Sequence, residues 1–578
     1  MAWRIGGARR AFKKNNHFFS SSLEANPDPF RSSLPPSPVN SVLGTSPVNS
    51  LTQEKQPTTL SSSTHIDNPL YRLFTENASS PSLASKQFGW DSTSQGGSIY
   101  SRKDVQFFHS SSFSASPPTS SSAVERMEAE EAAATVENAD ILRTEDCRVL
   151  YSRTPSPELL RTLFNLLLVA YEPMVDLSIA VLKSPLMDRS FFRVPTLWMV
   201  KNSVYEHFCA GENVAEASKT LQRMWEQGLQ GILDYSLEDA IDNISCDENL
   251  RGFVNTIQTT RELPQGSVSS ACVKITAIAP LTLLERVSEL LRWQHKTPGF
   301  LLPWKQDSLP FLSSNSPNYH VQAEPSPLST EEETDLLLAH ERLDRLCKAC
   351  EEANLPLLVD AEYSSVQPAI DYLTYAVALN YNRQGSPLVF TTIQTYLKDA
   401  LPRLSLALEA SSQRGMAFGV KLVRGAYISR ENALASALQA PSPIHSSIQK
   451  THHCYDSCAA MMLENLSAGK GAGAVVLATH NFQSGRVAAC KAQELGLVKG
   501  DSRLQFAQLK GMADGLSLAL AHAGFQVSKY LPFGPVQQVI PYLIRRAEEN
   551  RGLLGNAVGD RNRVRTELRR RLYAAIGL

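Results

Sequence analysis

From about residue 231 onward the chain switches repeatedly between two spacings. Short apolar runs, too brief for helices, alternate with stretches whose apolar residues recur every three or four positions. The runs cover residues 231–236, 271–276, 355–360, 388–394, 418–423, 474–479, 504–508 and 529–533. Eight short strands with helices between most of them are the count that closes a parallel barrel. The expected fold class is therefore α/β, a (βα)8 TIM-type barrel spanning residues 229–578. A Pro- and Ser-rich stretch, residues 297–330, reads as a loop inserted between the second and third strands. Residues 123–228 read as a helical arm, with one long, mostly buried helix from Pro157 to Lys183 and another from Asn213 to Gln227. Residues 24–122 are rich in Ser, Pro and Asn, and disorder is expected there.

Composition narrows the function classes. The chain has 578 residues, 43% of them hydrophobic, which is ample for a large core. The net charge of -1 gives no reason to expect nucleic acid. Nine cysteines are too few and too scattered for a disulfide framework. Cys347 and Cys350 form a CxxC, but they fall on a helical apolar stripe with Leu343 and Leu346. His452, His453, Cys454 and Cys458 imitate ligand spacing without the second pair that a zinc finger needs, so no metal site is expected. Residues 1–23 hold Arg4, Arg9, Arg10, Lys13 and Lys14, several Ser and no acid. That is the composition of a mitochondrial or plastid transit peptide. No apolar stretch is long enough to span a bilayer; residues 159–182 come nearest and are interrupted by Arg161, Glu172 and Asp176.

The polar residues collect where the strands end. In this fold the carboxyl ends of the strands form the active rim. Asp234 with Glu238, Lys274, Asp360 with Glu362, Gln394, Lys421 with Arg424, Thr479-His480-Asn481 and Gln508-Leu509-Lys510 all fall there. Near the C-terminus, Tyr542, Arg545, Arg546 and Glu549 share one helical stripe, and Ile540, Leu543, Ile544 and Ala547 form an opposite stripe suited to the core. Two adjacent guanidinium groups suit a carboxylate ligand. Together with Lys274 and Lys421 they favour an anionic substrate. No Ser or Cys nucleophile is paired with a His, so acyl transfer is not expected. Open alternatives are a lyase using Lys274 as a Schiff base, and a membrane-binding module using the basic residues 563–573.

Four segments carry a resemblance that covers residues 143 to the C-terminus: 421–427 (KLVRGAY), 478–481 (ATHN), 505–512 (QFAQLKGM) and 542–549 (YLIRRAEE). In this order and spacing the chain resembles the proline dehydrogenase family in its plant mitochondrial form. The resemblance implies a barrel that holds FAD non-covalently, oxidises L-proline to 1-pyrroline-5-carboxylate and passes electrons to a quinone. It also implies a mitochondrial enzyme on the matrix side, in peripheral contact with the inner membrane. By that resemblance Arg545, Arg546 and Lys274 grip the proline carboxylate, Tyr530 packs on the ring, and Tyr427 and Leu509 close other sides. Glu238 resembles the acidic partner of an arginine gate. Asp360 and Lys421 resemble the catalytic pair, with Asp360 acting through Lys274. Ala361, Gln394, Lys421, Arg424, Gly425, Ala426, Thr479, His480 and Asn481 are the implied FAD contacts. One departure is that Lys421 and Arg424 stand where bacterial bifunctional members carry Arg then Lys. Hydroxyproline is the alternative substrate within the same chemistry.

Overall fold

A closed ring of eight parallel strands, hydrogen-bonded in chain order, organises the molecule. The strands are β1 Gln230–Tyr235, β2 Val268–Val273, β3 Leu357–Val359, β4 Val389–Gln394, β5 Phe418–Val423, β6 Gly473–Ala478, β7 Leu504–Leu509 and β8 Gln526–Phe533. The ring closes where Ile232 of β1 lies beside Tyr530 of β8. The computed structural model describes residues 141–577, apart from 384, 470–472, 553 and the side chains of 549–557. The basic leader, the Ser/Pro-rich segment and the side chain of Glu549 lie outside the described residues.

Two apolar layers hold the ring. Ile232, Cys272, Leu358, Phe390, Val476 and Ala507 fill its interior. Residues alternating with these point outward and join the helices in a larger core that includes Val273, Val359, Leu422 and Phe506. This is the two-residue period of a strand put to use on both faces. Cys347 and Cys350 lie in the Thr330–Glu352 helix and are fully buried in that outer layer. Ser329 caps this helix reciprocally with Glu332, which ends the inserted stretch cleanly.

The arm before the barrel departs from expectation. Instead of one long buried helix there are two, Ser156–Val169 and Glu172–Leu182, bent by 81°. Pro173 sits in the first turn of the second helix, where its missing N–H does no harm; inside a continuous helix it would break the ladder. Nor is the pair mostly buried: Leu160, Phe164, Tyr171 and Leu177 are all more than half exposed. Among the described residues no single helix is long and apolar enough to cross a membrane.

Candidate active site

The short strand β3 delivers Asp360 to the rim, and four side chains converge on it. Lys421 of β5 forms an ion pair with its carboxylate. Tyr530 Oη of β8 donates to Oδ2 at 2.7 Å, and Cys272 Sγ of β2 donates to Oδ1 at 2.9 Å. Lys274 Nζ, one residue past β2, lies 3.9 Å from Oδ2. The same ammonium is 3.7 Å from Asp234, which also accepts from Ser236 Oγ. Lys274 is thus held between two carboxylates from different strands. Burial alone would raise the pKa of Asp360, but Lys421 and Lys274 outweigh it and hold the carboxyl down at about 2. Burial works against a charge on Lys274 too, yet Asp234, Asp360 and Glu238 keep it well above its ordinary value. Burial pushes Asp234 up, and Lys274 only partly offsets this.

A second pair stands beside this hub. Arg545 donates through two nitrogens to Glu238, at 2.9 and 3.0 Å. Its guanidinium lies 5.6 Å from the ring of Tyr427, which meets Tyr363 edge-on. Arg546 is buried, 5.0 Å from the Tyr542 ring. The helix that carries them, Val536–Gly552, corrects the expected division into stripes. Val536, Val539, Tyr542 and Leu543 make its apolar contacts, while Ile540, Ile544 and Ala547 are only half-buried. The arginine side faces inward because ion pairing at the barrel mouth offsets its desolvation. Side-chain spacing alone carries no such information.

The remaining implied residues occupy the β4–β7 side. Gln394 Nε2 donates to the Glu362 carbonyl at 2.7 Å. Arg424 stacks on Tyr455 at 4.0 Å and hydrogen-bonds Thr479 and Ser484. Asn481 caps the Phe482–Glu494 helix by accepting from Ser484 N. His480 Nε2 accepts from the Leu509 N–H at 3.1 Å, and burial, with Arg546 and Lys529 nearby, lowers its pKa to about 3. It is a neutral acceptor. Ala361 follows Asp360, and Gly425 with Ala426 follow Arg424, all partly exposed. At Gly425 an added Cβ would lie 1.5 Å from Tyr396, so a larger residue collides. Leu509 packs against the Tyr205, Met512 and Tyr542 cluster.

Sequence reasoning assigned no role to Cys272 or Ser236 and left Asp234 and Glu362 as bare strand ends. The signal for Cys272 was its offset of two from Lys274, which puts both on the inner face. Glu362 is buried and accepts from Thr276 N at 3.2 Å and Thr276 Oγ1 at 2.8 Å. Burial raises its pKa to about 8, against the opposing pull of the Thr276 hydrogen bonds. The folded state therefore binds this proton more tightly than the unfolded chain. Stability contributed by the neutral acid is complete below the unfolded value of about 4.3 and is lost as pH rises towards 8. Glu362→Gln should flatten the fall in melting temperature across that window; an unchanged slope would show that Glu362 is not its source.

With this geometry in place, the chain can be set beside known proteins. The sequence model described as Proline dehydrogenase matches residues 217–557. The chain belongs to the proline dehydrogenase family. Proline dehydrogenase 1, mitochondrial, of Arabidopsis thaliana is 48% identical over 444 residues, 76% of this chain and 89% of that protein. Hydroxyproline dehydrogenase of Bos taurus is 33% identical over 459 residues, 74% of this chain and 97% of that protein. Among solved structures, proline utilization A from Bdellovibrio bacteriovorus, inactivated by N-propargylglycine, aligns with a TM-score of 0.49 at 18% identity. That alignment covers 70% of this chain and 38% of the other.

Proposed function

We propose that this chain is an FAD-dependent dehydrogenase that oxidises L-proline to 1-pyrroline-5-carboxylate, the first step of proline degradation to glutamate. The observation that carries this reading is the gathering of Lys274, Arg545, Tyr530 and Tyr427 around Asp360 and Glu238, with Arg546 next along the same helix as Arg545. Family membership and the Arabidopsis relative support it. A guanidinium carries five N–H donors, and Glu238 takes only two of those on Arg545. Arg545 can therefore accept a substrate carboxylate while still tethered, with Arg546 as the second fork and Lys274 as a point charge. Asp360 fixes the Tyr530 hydroxyl and the Lys421 ammonium, so the aromatic wall and the cation hold their places. Proline must enter with its amine neutral before hydride can leave the adjacent ring carbon. Orientation by the clamp supplies much of the acceleration.

The residues of the β4–β7 side fit FAD. Arg424 Nε is buried with no hydrogen-bond partner among the described residues, and its other nitrogens bond Thr479 and Ser484, the latter in the first turn of the Phe482–Glu494 helix. A helix N-terminus with a guanidinium is suited to a pyrophosphate. Arg424, Thr479, His480 and Asn481 would hold that part of the dinucleotide, and Ala361, Gln394, Lys421, Gly425 and Ala426 would line the rest. When bound, FAD supplies the hydride acceptor. With Lys421 in place of an arginine, the cation that this position would offer a bound flavin is a point charge instead of a planar fork.

Proline is favoured over hydroxyproline because the family resemblance implies that the bulk of Tyr530, whose hydroxyl Asp360 holds at 2.7 Å, would leave little room for a ring hydroxyl. Tyr530→Ser should narrow the difference in kcat/KM between the two substrates. Equal turnover of both by the native enzyme would contradict the assignment. A Schiff-base lyase fits less well, since a nucleophilic lysine must lose its proton and Lys274 is held charged.

A mitochondrial location follows from the basic, acid-free leader and from the names of the Arabidopsis relatives. Delivery of electrons to a respiratory quinone calls for contact with the inner membrane. The basic residues 563–573 are poor candidates for it: Arg563 pairs with Asp560, and Arg570 and Arg571 both pair with buried Glu567. The helical arm offers more. Phe191 is 79% and Trp198 69% exposed, alongside Phe164, Tyr171, Leu177 and Val194. Exposed apolar clusters of this kind mark interaction surfaces. Phe191→Glu with Trp198→Glu should abolish co-sedimentation with anionic vesicles and spare proline oxidation with a soluble dye; undiminished sedimentation would remove the arm from this role.

A further inference from the structure

Behind the barrel mouth, between the helical arm, the segment that follows β7 and Lys529 of β8, lies a separate cavity of about 400 Å³. That is the size of a small-ligand pocket. Its wall includes Lys201, Asn202 and Tyr205, from a five-residue π-helix, Lys201–Tyr205. Such turns are rare and recur at functional sites. Lys510, immediately after β7, enters from the barrel side. Its ammonium is held by two backbone carbonyls, those of Glu206 at 2.7 Å and His207 at 2.8 Å. Gly511 permits this approach: its φ is +75°, and an added Cβ would lie 2.7 Å from the His207 carbonyl oxygen.

Cations outnumber acids in the wall: six lysines and arginines, Lys510 and the rim residue Arg223 among them, against Glu158, Glu206, Glu216 and Asp514. Among the described residues, Lys510 and Arg223 have no carboxylate at ion-pairing distance; Arg223 bonds only the Thr220 hydroxyl, at 3.0 Å. Burial, reinforced by Arg223 and Arg161, lowers the Lys510 pKa to about 8, though Cys209 and Asp514 pull the other way. An anion beside the ammonium would relieve that cost. Two further groups line the same cavity: Tyr151 Oη is buried and has no hydrogen-bond partner among the described residues, and the buried His207 ring meets the Gly511 backbone. Buried polar atoms are normally satisfied, so unpaired ones call for an explanation. Leu159, Leu229 and Leu518 complete the wall and suit a short carbon skeleton more than a bare inorganic ion.

We propose that this cavity is a second ligand site, distinct from the substrate clamp, that takes a small organic carboxylate. Lys510 and Arg223 would receive the carboxylate, Tyr151 and His207 would bond its polar atoms, and the leucines would pack on its carbons.

The test is calorimetric titration of the purified holoenzyme with glutarate, with inorganic phosphate as a second probe. Saturable glutarate binding is expected, weaker by about tenfold or more in Arg223→Gln and in Lys510→Met. Arg223 is exposed at the rim, so its variant keeps the test informative should Lys510→Met fold poorly. Binding should persist in Arg545→Met, where the proposed substrate clamp is broken, and phosphate should bind more weakly than glutarate. The proposal is overturned by no saturable binding, by binding that survives both cavity variants, by loss of binding in Arg545→Met, or by phosphate binding as tightly as glutarate.

Discussion

Asp360→Ala is expected to lower stability by about 3 kcal/mol and to abolish proline oxidation. The reason is what it leaves behind. Lys421 and Lys274 are both buried, and Asp360 is the carboxylate they share. Without it, Lys274 keeps Asp234, but Lys421 is left with the Cys272 thiol, 3.9 Å away, and the Tyr530 ring, 5.4 Å away, and with no carboxylate at ion-pairing distance among the described residues. An unpaired buried ammonium carries a penalty comparable to that figure. The Tyr530 hydroxyl loses its 2.7 Å acceptor in the same step. Because the Asp360 pKa is depressed to about 2, the native contribution is complete above the unfolded carboxyl value and is lost only as pH falls towards 2. The deficit should therefore be fully present at neutral pH. Adding Lys421→Met to the variant should recover part of the stability and none of the activity. Thermal denaturation of the single and double variants decides it. A single variant as stable as the native protein would remove Asp360 from the centre of this network.

Arg545→Met should raise KM for proline on the order of 100-fold, with flavin still bound. One charge-assisted, two-pronged contact is worth about 2–3 kcal/mol, which converts to that range. The variant also strands Glu238, whose carboxyl is now held low by Arg545 against the effect of burial. A rise in the Glu238 pKa, and some loss of stability, should accompany the change. Arg545→Lys should restore charge without restoring affinity, because an ammonium cannot span both oxygens. An unchanged KM in Arg545→Met would exclude this residue from the clamp.

The barrel was readable because its eight apolar runs are short, regularly spaced and end in polar residues. Each run found its strand within a few positions. The rim was legible for the same reason: a side chain ending a strand has one place to go. Three features resisted. In the Val536–Gly552 helix the Ile540, Leu543, Ile544 and Ala547 stripe reads as the core face, but ion pairing of Arg545 with Glu238, from elements 307 residues apart, turned the arginine side in. Long-range pairing of that kind leaves no local trace. The Pro157–Lys183 stretch is apolar on most sides, broken by Arg161, Glu172 and Asp176, so its pattern could not distinguish burial from exposure. Pro173 did mark the break, and its meaning depended on whether it began a helix or interrupted one. The pairing of Asp234 with Lys274 was hidden because neither residue's charge is unusual until the strands bring them within 3.7 Å.

The central claim is that this ring of side chains seats proline against a bound flavin. An absorption spectrum of the purified holoenzyme, recorded without oxygen before and after adding L-proline, tests it most directly. The expected result is a visible flavin band that L-proline bleaches. A colourless protein, or a flavin band that L-proline leaves unchanged, would contradict the account.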